Sequence, residues 1–159
     1  MPWWKGSRGE WLVAAQLALM GLIFFGPRTV AGHQPWAFPF PHASRIAGIV
    51  LMVAGGSLLV AAIISLGAGL TPLPYPKAGG TLVETGPYAV VRHPMYTGGL
   101  ALALGWALWV QGWLTIWYVV AVFILLDVKS RREERWLAEK FPAYSSYQRR
   151  VRKLIPFVY

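Results

Sequence analysis

Apolar residues run in four stretches along the chain, and polar residues gather at the ends of those stretches. The first covers residues 11–25, with Gln16 its only strongly polar member. The second covers 46–67 and carries no charge. The third covers 95–111, and the fourth runs from 113 to about 128. Uncharged runs of this kind predict membrane helices, which need about 20 apolar residues to cross a bilayer. The first run is short for a span and reaches bilayer length only by extending toward Val30, past Pro27 and Arg28. Lys5 and Arg8 before it would also suit a cleaved signal peptide. Val30-Ala31-Gly32 is a poor cleavage site, however, so a retained span is expected.

Small residues add detail to this pattern. Gly55-Gly56-Ser57 and Ala61-Ala62 in the second run offer surfaces for close helix packing, as do Gly98, Gly99 and Gly105 in the third. Gln111-Gly112 is the turn between the third and fourth runs, and so short a turn predicts an antiparallel helical hairpin. The glycines of the third run are expected to bring the two helices of that hairpin together. Between the second and third runs, Pro72, Pro74, Pro76 and Gly79-Gly80 exclude a continuous helix. After the fourth run, residues 129–141 lack Pro and Gly and read as helix until Pro142. Phe141, Tyr144 and Tyr147 then recur every three residues, predicting a second helical segment with an aromatic face. The fold class expected is all-α: an integral membrane protein with four transmembrane helices and a cytoplasmic C-terminal helical tail.

Composition agrees. The chain has 159 residues, of which 56% are hydrophobic and 13% charged, about half the charged fraction of a soluble domain. One domain over 1–159 is expected. The absence of cysteine excludes thiolate nucleophiles and Cys-ligated metals. His33 and His42 have no carboxylate near them in sequence, so no metal site is predicted. The formal charge is +9, and nine of the 15 Lys and Arg residues lie in 129–159. Next to a last span, that cluster reads as positive-inside retention and attraction to anionic membrane lipids, which puts both termini in the cytoplasm. No recognition motif accompanies the charge, so nucleic acid is not an expected partner. Oligomeric state stays open.

Two polar constellations carry the candidate chemistry. Gly86-Pro87-Tyr88 and Arg92-His93-Pro94-Met95-Tyr96 open the third run; Arg132-Glu133-Glu134, Tyr144, Tyr147, Arg149 and Arg150 follow the fourth. Antiparallel spans return both to one side of the bilayer, where they can meet. Ionisable residues at a membrane are costly and usually serve a site. His93 taken alone reads first as a capped interfacial imidazole, and Arg92 reads equally as a positive-inside anchor. Pro94 suits a first helical turn, which sets His93 at the cap and the helix N-terminal amides in the same space. Tyr96 then shares nearly the same face. For Glu133 and Glu134 the plain reading is pairing with nearby Lys and Arg, and Asp127 is expected to pair with Arg131 four residues on. Trp106, Trp109, Trp113 and Trp117 read as packing or lipid contacts.

The order Gly86-Pro87-Tyr88, Arg92-His93-Pro94-x-Tyr96-x-Gly98, Glu133-Glu134-x-x-Leu137, Phe141-x-x-Tyr144-x-x-Tyr147, Arg150-Val151 and Ile155-Pro156-Phe157 resembles the isoprenylcysteine carboxyl methyltransferase family, related to the membrane phospholipid N-methyltransferases. The resemblance covers about residues 80–157; the first two spans match only as hydrophobic segments. It implies S-adenosylmethionine as cofactor, held by His93, Tyr96, Tyr88 and Glu133 or Glu134. It also implies Arg150 near the methyl acceptor and, more loosely, Arg92 at the cofactor, and these two are the catalytic candidates. Two departures stand out: Pro142 where the family often has Gly, and Arg152 where eukaryotic members have Pro. The function implied is methyl transfer to a small lipophilic acceptor at the cytoplasmic face of a bacterial inner membrane, foremost carboxyl O-methylation of an isoprenylcysteine-like substrate. The alternatives are N- or O-methylation of a phospholipid or other lipid, an NADPH-dependent enzyme like the sterol reductases, and a non-catalytic membrane subunit.

Overall fold

The computed structural model describes residues 9–30, 40–71, 80–156 and 158–159. Lys5, Arg8, His33, the proline stretch 72–79 and Phe157 fall outside them, and so does most of the Val30-Ala31-Gly32 site. Five α-helices make up the fold: α1 (Glu10–Phe25), α2 (Pro41–Leu66), α3 (Pro94–Val110), α4 (Trp113–Lys140) and α5 (Tyr144–Arg150). Short 3-10 turns at Gly67–Gly69 and Gly86–Ala89 fall between α2 and α3. No strand occurs among the described residues, only an isolated parallel bridge between Val91 and Arg152.

α2 and α4, with 26 and 28 residues, are long and apolar enough to cross a membrane. α1 and α3 have 16 and 17 residues, or about 24–26 Å of helix, a little short of the roughly 30 Å hydrocarbon core. The outer face of α2 exposes Ile46, Val50, Val53, Val60 and Ile64, an apolar surface suited to lipid.

The glycines act elsewhere than the hairpin pattern suggested. Gly98 and Gly105 of α3 face α2, where Gly55 and Gly48 meet them in antiparallel register. A Cβ on any of these four would stand 2.6–2.7 Å from the opposing glycine's carbonyl oxygen, closer than any real contact. Close packing through small residues therefore joins α2 to α3. α4 instead packs on α1 and α3 through larger side chains, with Ile23, Ala103, Ala107, Val122 and Leu126 at the core. Gln111, in the left-handed conformation, closes the two-residue turn.

α4 runs on where the apolar pattern stops. With no Pro or Gly between Asp127 and Lys140, nothing breaks it at the edge of the apolar region. The expected span and the expected tail helix are one rod of about 42 Å, whose last four turns or so, from Asp127 on, carry the charges. Pro142 then turns the chain into α5, which buries Tyr144 and Tyr147 against Leu82, Leu137 and Phe141. Residues 151–154 return to the start of α3: Arg92 and His93 amides donate to the carbonyls of Arg152 and Lys153, at 2.7 and 3.1 Å. The Thr97 hydroxyl donates to the Leu154 carbonyl at 2.6 Å. Lys153 and Arg131 clamp Asp127 beneath this segment, at 2.5 and 2.7 Å.

Candidate active site

The return of the tail brings the two polar constellations together. Glu134 is 8% exposed and accepts three hydrogen bonds: from Arg92 Nε at 2.8 Å, His93 Nε2 at 3.1 Å and Gln148 Nε2 at 3.0 Å. A carboxylate only accepts, so Nε2 is the donor in this contact. His93, 6% exposed, lies parallel to Tyr96, ring centroids 5.2 Å apart. Tyr96 in turn donates to Glu133 Oε2 at 2.8 Å. The Tyr147 hydroxyl donates to the Tyr88 carbonyl at 2.6 Å, fastening α5 to the turn before α3.

These residues border a cavity of about 500 Å³, within the range of small-molecule sites. Its polar wall holds Tyr88, Arg92, His93, Tyr96 and Glu133; α1 contributes an apolar wall of Val13, Leu17, Met20 and Phe24. Tyr144 closes one side, 1% exposed, and its hydroxyl has no hydrogen-bond partner among the described residues. An orphaned donor of this kind is expensive unless a ligand satisfies it. Burial, reinforced by Glu133, pushes the Tyr88 phenol up to about 12. Tyr144 and Tyr147 are raised as well, chiefly by burial. All three stay protonated and able to donate at neutral pH.

Of the residues singled out from sequence, Tyr88, Arg92, His93, Tyr96 and Glu133 lie on the cavity wall. Glu134 stands behind that wall and orients Arg92 and His93. Arg92 has its Nη1 on the Gln148 and Val151 carbonyls in addition to the Glu134 contact, so its guanidinium is engaged by the protein. Arg150 is away from the cavity lining: its side chain is 64% exposed and pairs with Glu84 at 2.6 Å. That pair ties the tail to the segment carrying Thr81, Leu82 and Val83, which do line the cavity. The helix N-terminus is less open than its sequence suggested, because the Arg92, His93, Tyr96 and Thr97 amides already bond to backbone carbonyls. Gln148 and the orphaned Tyr144 hydroxyl were not legible as site features. Lys129, read only as tail charge, and Gln16, read only as a polar interruption, both reach the cavity.

Comparison with known proteins places the chain. The cobalt-zinc-cadmium resistance protein CzcN of Cupriavidus metallidurans is 28% identical over 153 residues, covering 93% of this chain and 62% of that protein. The Delta(14)-sterol reductase TM7SF2 of Mus musculus is 35% identical over 96 residues, 58% of this chain and 23% of the reductase. The chain thus spans under two thirds of the length of these relatives. Among solved structures, the eukaryotic intramembrane Ras methyltransferase ICMT (isoprenylcysteine carboxyl methyltransferase) shares the fold, with a TM-score of 0.69 at 24% identity, over 96% of this chain and 54% of that one. The phospholipid methyltransferase family model matches residues 43–144, a range that contains both packed glycine pairs, the His93–Tyr96 stack and both cavity-side glutamates. The chain is a membrane protein and belongs to the phospholipid methyltransferase family.

Proposed function

We propose that this chain transfers a methyl group from S-adenosylmethionine to a small lipophilic acceptor, with a carboxylate of the isoprenylcysteine type ahead of an amine or hydroxyl lipid. The observation that carries this reading is a single cavity with a charged, aromatic wall at the polar end of the bundle and an apolar wall along α1. A polar cofactor and a greasy acceptor need such a two-sided chamber to meet. The residues present fit the cofactor: the phenols of Tyr88, Tyr96 and Tyr144 offer ring faces and donors, and Glu133 offers a carboxylate for hydroxyl or cationic groups. Tyr144 also supplies an unmet donor.

When bound, S-adenosylmethionine supplies an electrophilic methyl that an acceptor oxygen or nitrogen takes in line, while the electrons of the breaking carbon–sulfur bond return to sulfur. The protein's own task is positioning and exclusion of water. His93, Tyr96, Glu133 and Tyr88 are assigned to hold the cofactor. Glu134 is the positioning residue that fixes His93, and Arg92 locks the tail over α3. Arg150, through Glu84, holds the segment above the cavity. A carboxylate acceptor requires no base at neutral pH. The polar end is taken as cytoplasmic, with both termini there and α1 to α4 all spanning, and the whole chain acts as one unit.

The test is thermal stabilisation of the purified protein by S-adenosylhomocysteine and separately by NADPH. A rise with the first alone supports the methyltransferase. A rise with NADPH alone would favour a reductase, and no rise with either would favour a non-catalytic subunit. Transfer of a tritiated methyl to a lipid extract then identifies the acceptor class.

A further inference from the structure

Among the cations of the cavity wall, Lys129 is deeply buried and has no part in the cofactor assignments. Lys129 on α4 is 4% exposed and lines the cavity wall; Glu133 lies close enough to act on its charge, but among the described residues no carboxylate forms an ion pair with it. Its ammonium donates to Gln16 Oε1 of α1 at 2.7 Å and stands 5.1 Å from the Tyr96 ring centroid. Glu133, one turn along α4, has its carboxylate turned to Tyr96 and His93. An ammonium has three donors. One is spent on the Gln16 amide, and the ring and the more distant Glu133 offset part of the charge, which leaves donor capacity with no acceptor among the described residues. A buried cation in that state is costly until an anion joins it.

What surrounds the ammonium indicates the shape of that anion's carrier. Val13, Leu17, Met20 and Phe24 follow at helical spacing on the α1 face that also presents Gln16, and all four line the cavity. A charged group at Lys129 would therefore continue into an apolar trough. Of the other cations on the wall, Arg92 is already engaged by Glu134 and two carbonyls, and Lys140 stands 5.2 Å from the Phe141 ring centroid.

We infer that Lys129, oriented by Gln16, is the anion-recognising residue of the acceptor site, taking a carboxylate or phosphate whose hydrocarbon chain lies along Val13, Leu17, Met20 and Phe24. This rests on the methyltransferase reading and adds the sign of the acceptor and the residue that reads it. Lysine acts as a compact point charge and accepts either anion.

The experiment measures binding of tritiated N-acetyl-S-farnesylcysteine and farnesyl phosphate to the full chain in nanodiscs. Each is compared with its neutral counterpart, the cysteine methyl ester or farnesol. The parent is expected to prefer at least one anionic probe by about tenfold or more. Which probe shows the preference decides between carboxylate and phosphate. Lys129→Met should bring that ratio to within about threefold and Lys129→Arg should retain most of it, while S-adenosylhomocysteine affinity stays within about threefold. If Lys129→Met fails to fold, Gln16→Leu, which leaves the charge but not its orientation, should lower the ratio by about threefold. No anionic preference in the parent, or an unchanged ratio in the variants, overturns the inference. So does a loss confined to S-adenosylhomocysteine affinity, which would assign Lys129 to the cofactor. A parent that prefers the anionic probe yet fails to bind S-adenosylhomocysteine would instead sink the methyltransferase reading.

Discussion

Replacing Glu134 by alanine should cost more stability than any other single change at the site. The carboxylate joins three elements, accepting from Arg92 before α3, His93 at its cap and Gln148 on α5. Both ends of the Arg92 pair are nearly buried, each side chain being 10% exposed, so solvent screens it little. Removing one partner of a buried pair costs about 3–5 kcal/mol. Arg92 keeps the Gln148 and Val151 carbonyls, which points to the lower end, about 3 kcal/mol. For a domain of this size that is a fall in melting temperature of about 6–12 °C. Glu134→Gln preserves volume and one acceptor, and should lose about 1–2 kcal/mol. Thermal unfolding followed by tryptophan fluorescence in detergent measures both. Cofactor affinity should fall as well, since His93 loses its orientation. A Glu134→Ala protein melting within about 2 °C of the parent would show that this cluster does not hold the tail in place.

Glu133→Gln, by contrast, keeps an acceptor for Tyr96 while removing the cavity's carboxylate, so S-adenosylhomocysteine affinity should drop by about tenfold with little change in melting temperature. Gly55→Ala or Gly98→Ala, whose Cβ would meet a carbonyl at 2.7 Å, should destabilise by about 1–3 kcal/mol; Gly21→Ala, with nothing within 4 Å, should not. Arg150→Lys weakens an exposed pair worth under about 1 kcal/mol, so stability should barely move, and a strong loss of turnover in a methyl-transfer assay would show that the Glu84 tether matters to the reaction. With a carboxylate acceptor, activity should stay flat from about pH 6 to 9, because Tyr88, held at about 12 by burial, does not titrate there; a rate that climbs across the range would indicate an amine or phenol acceptor. Cysteine introduced at Gln111 should react with an impermeant thiol reagent in intact cells and one at Ser145 should not; the reverse labelling would invert the assigned orientation.

Much of the fold was legible because lipid allows little else. The apolar runs marked α1 and α3 to within one residue at each end, α2 to within five, and the start of α4, and Gln111-Gly112 marked the tight turn. Pairing was less legible: glycine spacing says that a helix has a close neighbour, not which one, and α2 rather than α4 takes that place. The end of α4 was read from Pro142, since hydropathy reports where lipid stops and Pro142 where helix stops; that span and tail helix form one rod was not announced by either. At the site, His93, Tyr96 and Glu133 were readable as motif residues beside a span. Arg150 was not, because its pairing depends on the path of the tail. That path is set by the bridge between Val91 and Arg152 and by the Tyr147–Tyr88 bond, contacts between segments about sixty residues apart that no local pattern announces. Lys129 was hidden among nine basic tail residues, since burial, not charge, distinguishes it.

The central claim is that the cavity between α1, α3, α4 and α5 binds the methyl donor through its charged wall. Titration calorimetry of S-adenosylhomocysteine into the parent, Glu133→Gln and His93→Ala proteins tests it most directly. The account predicts one site in the parent, weakened by about tenfold in each variant, with no heat of binding from NADPH. Absence of binding in the parent, or equal affinity in all three, would contradict it.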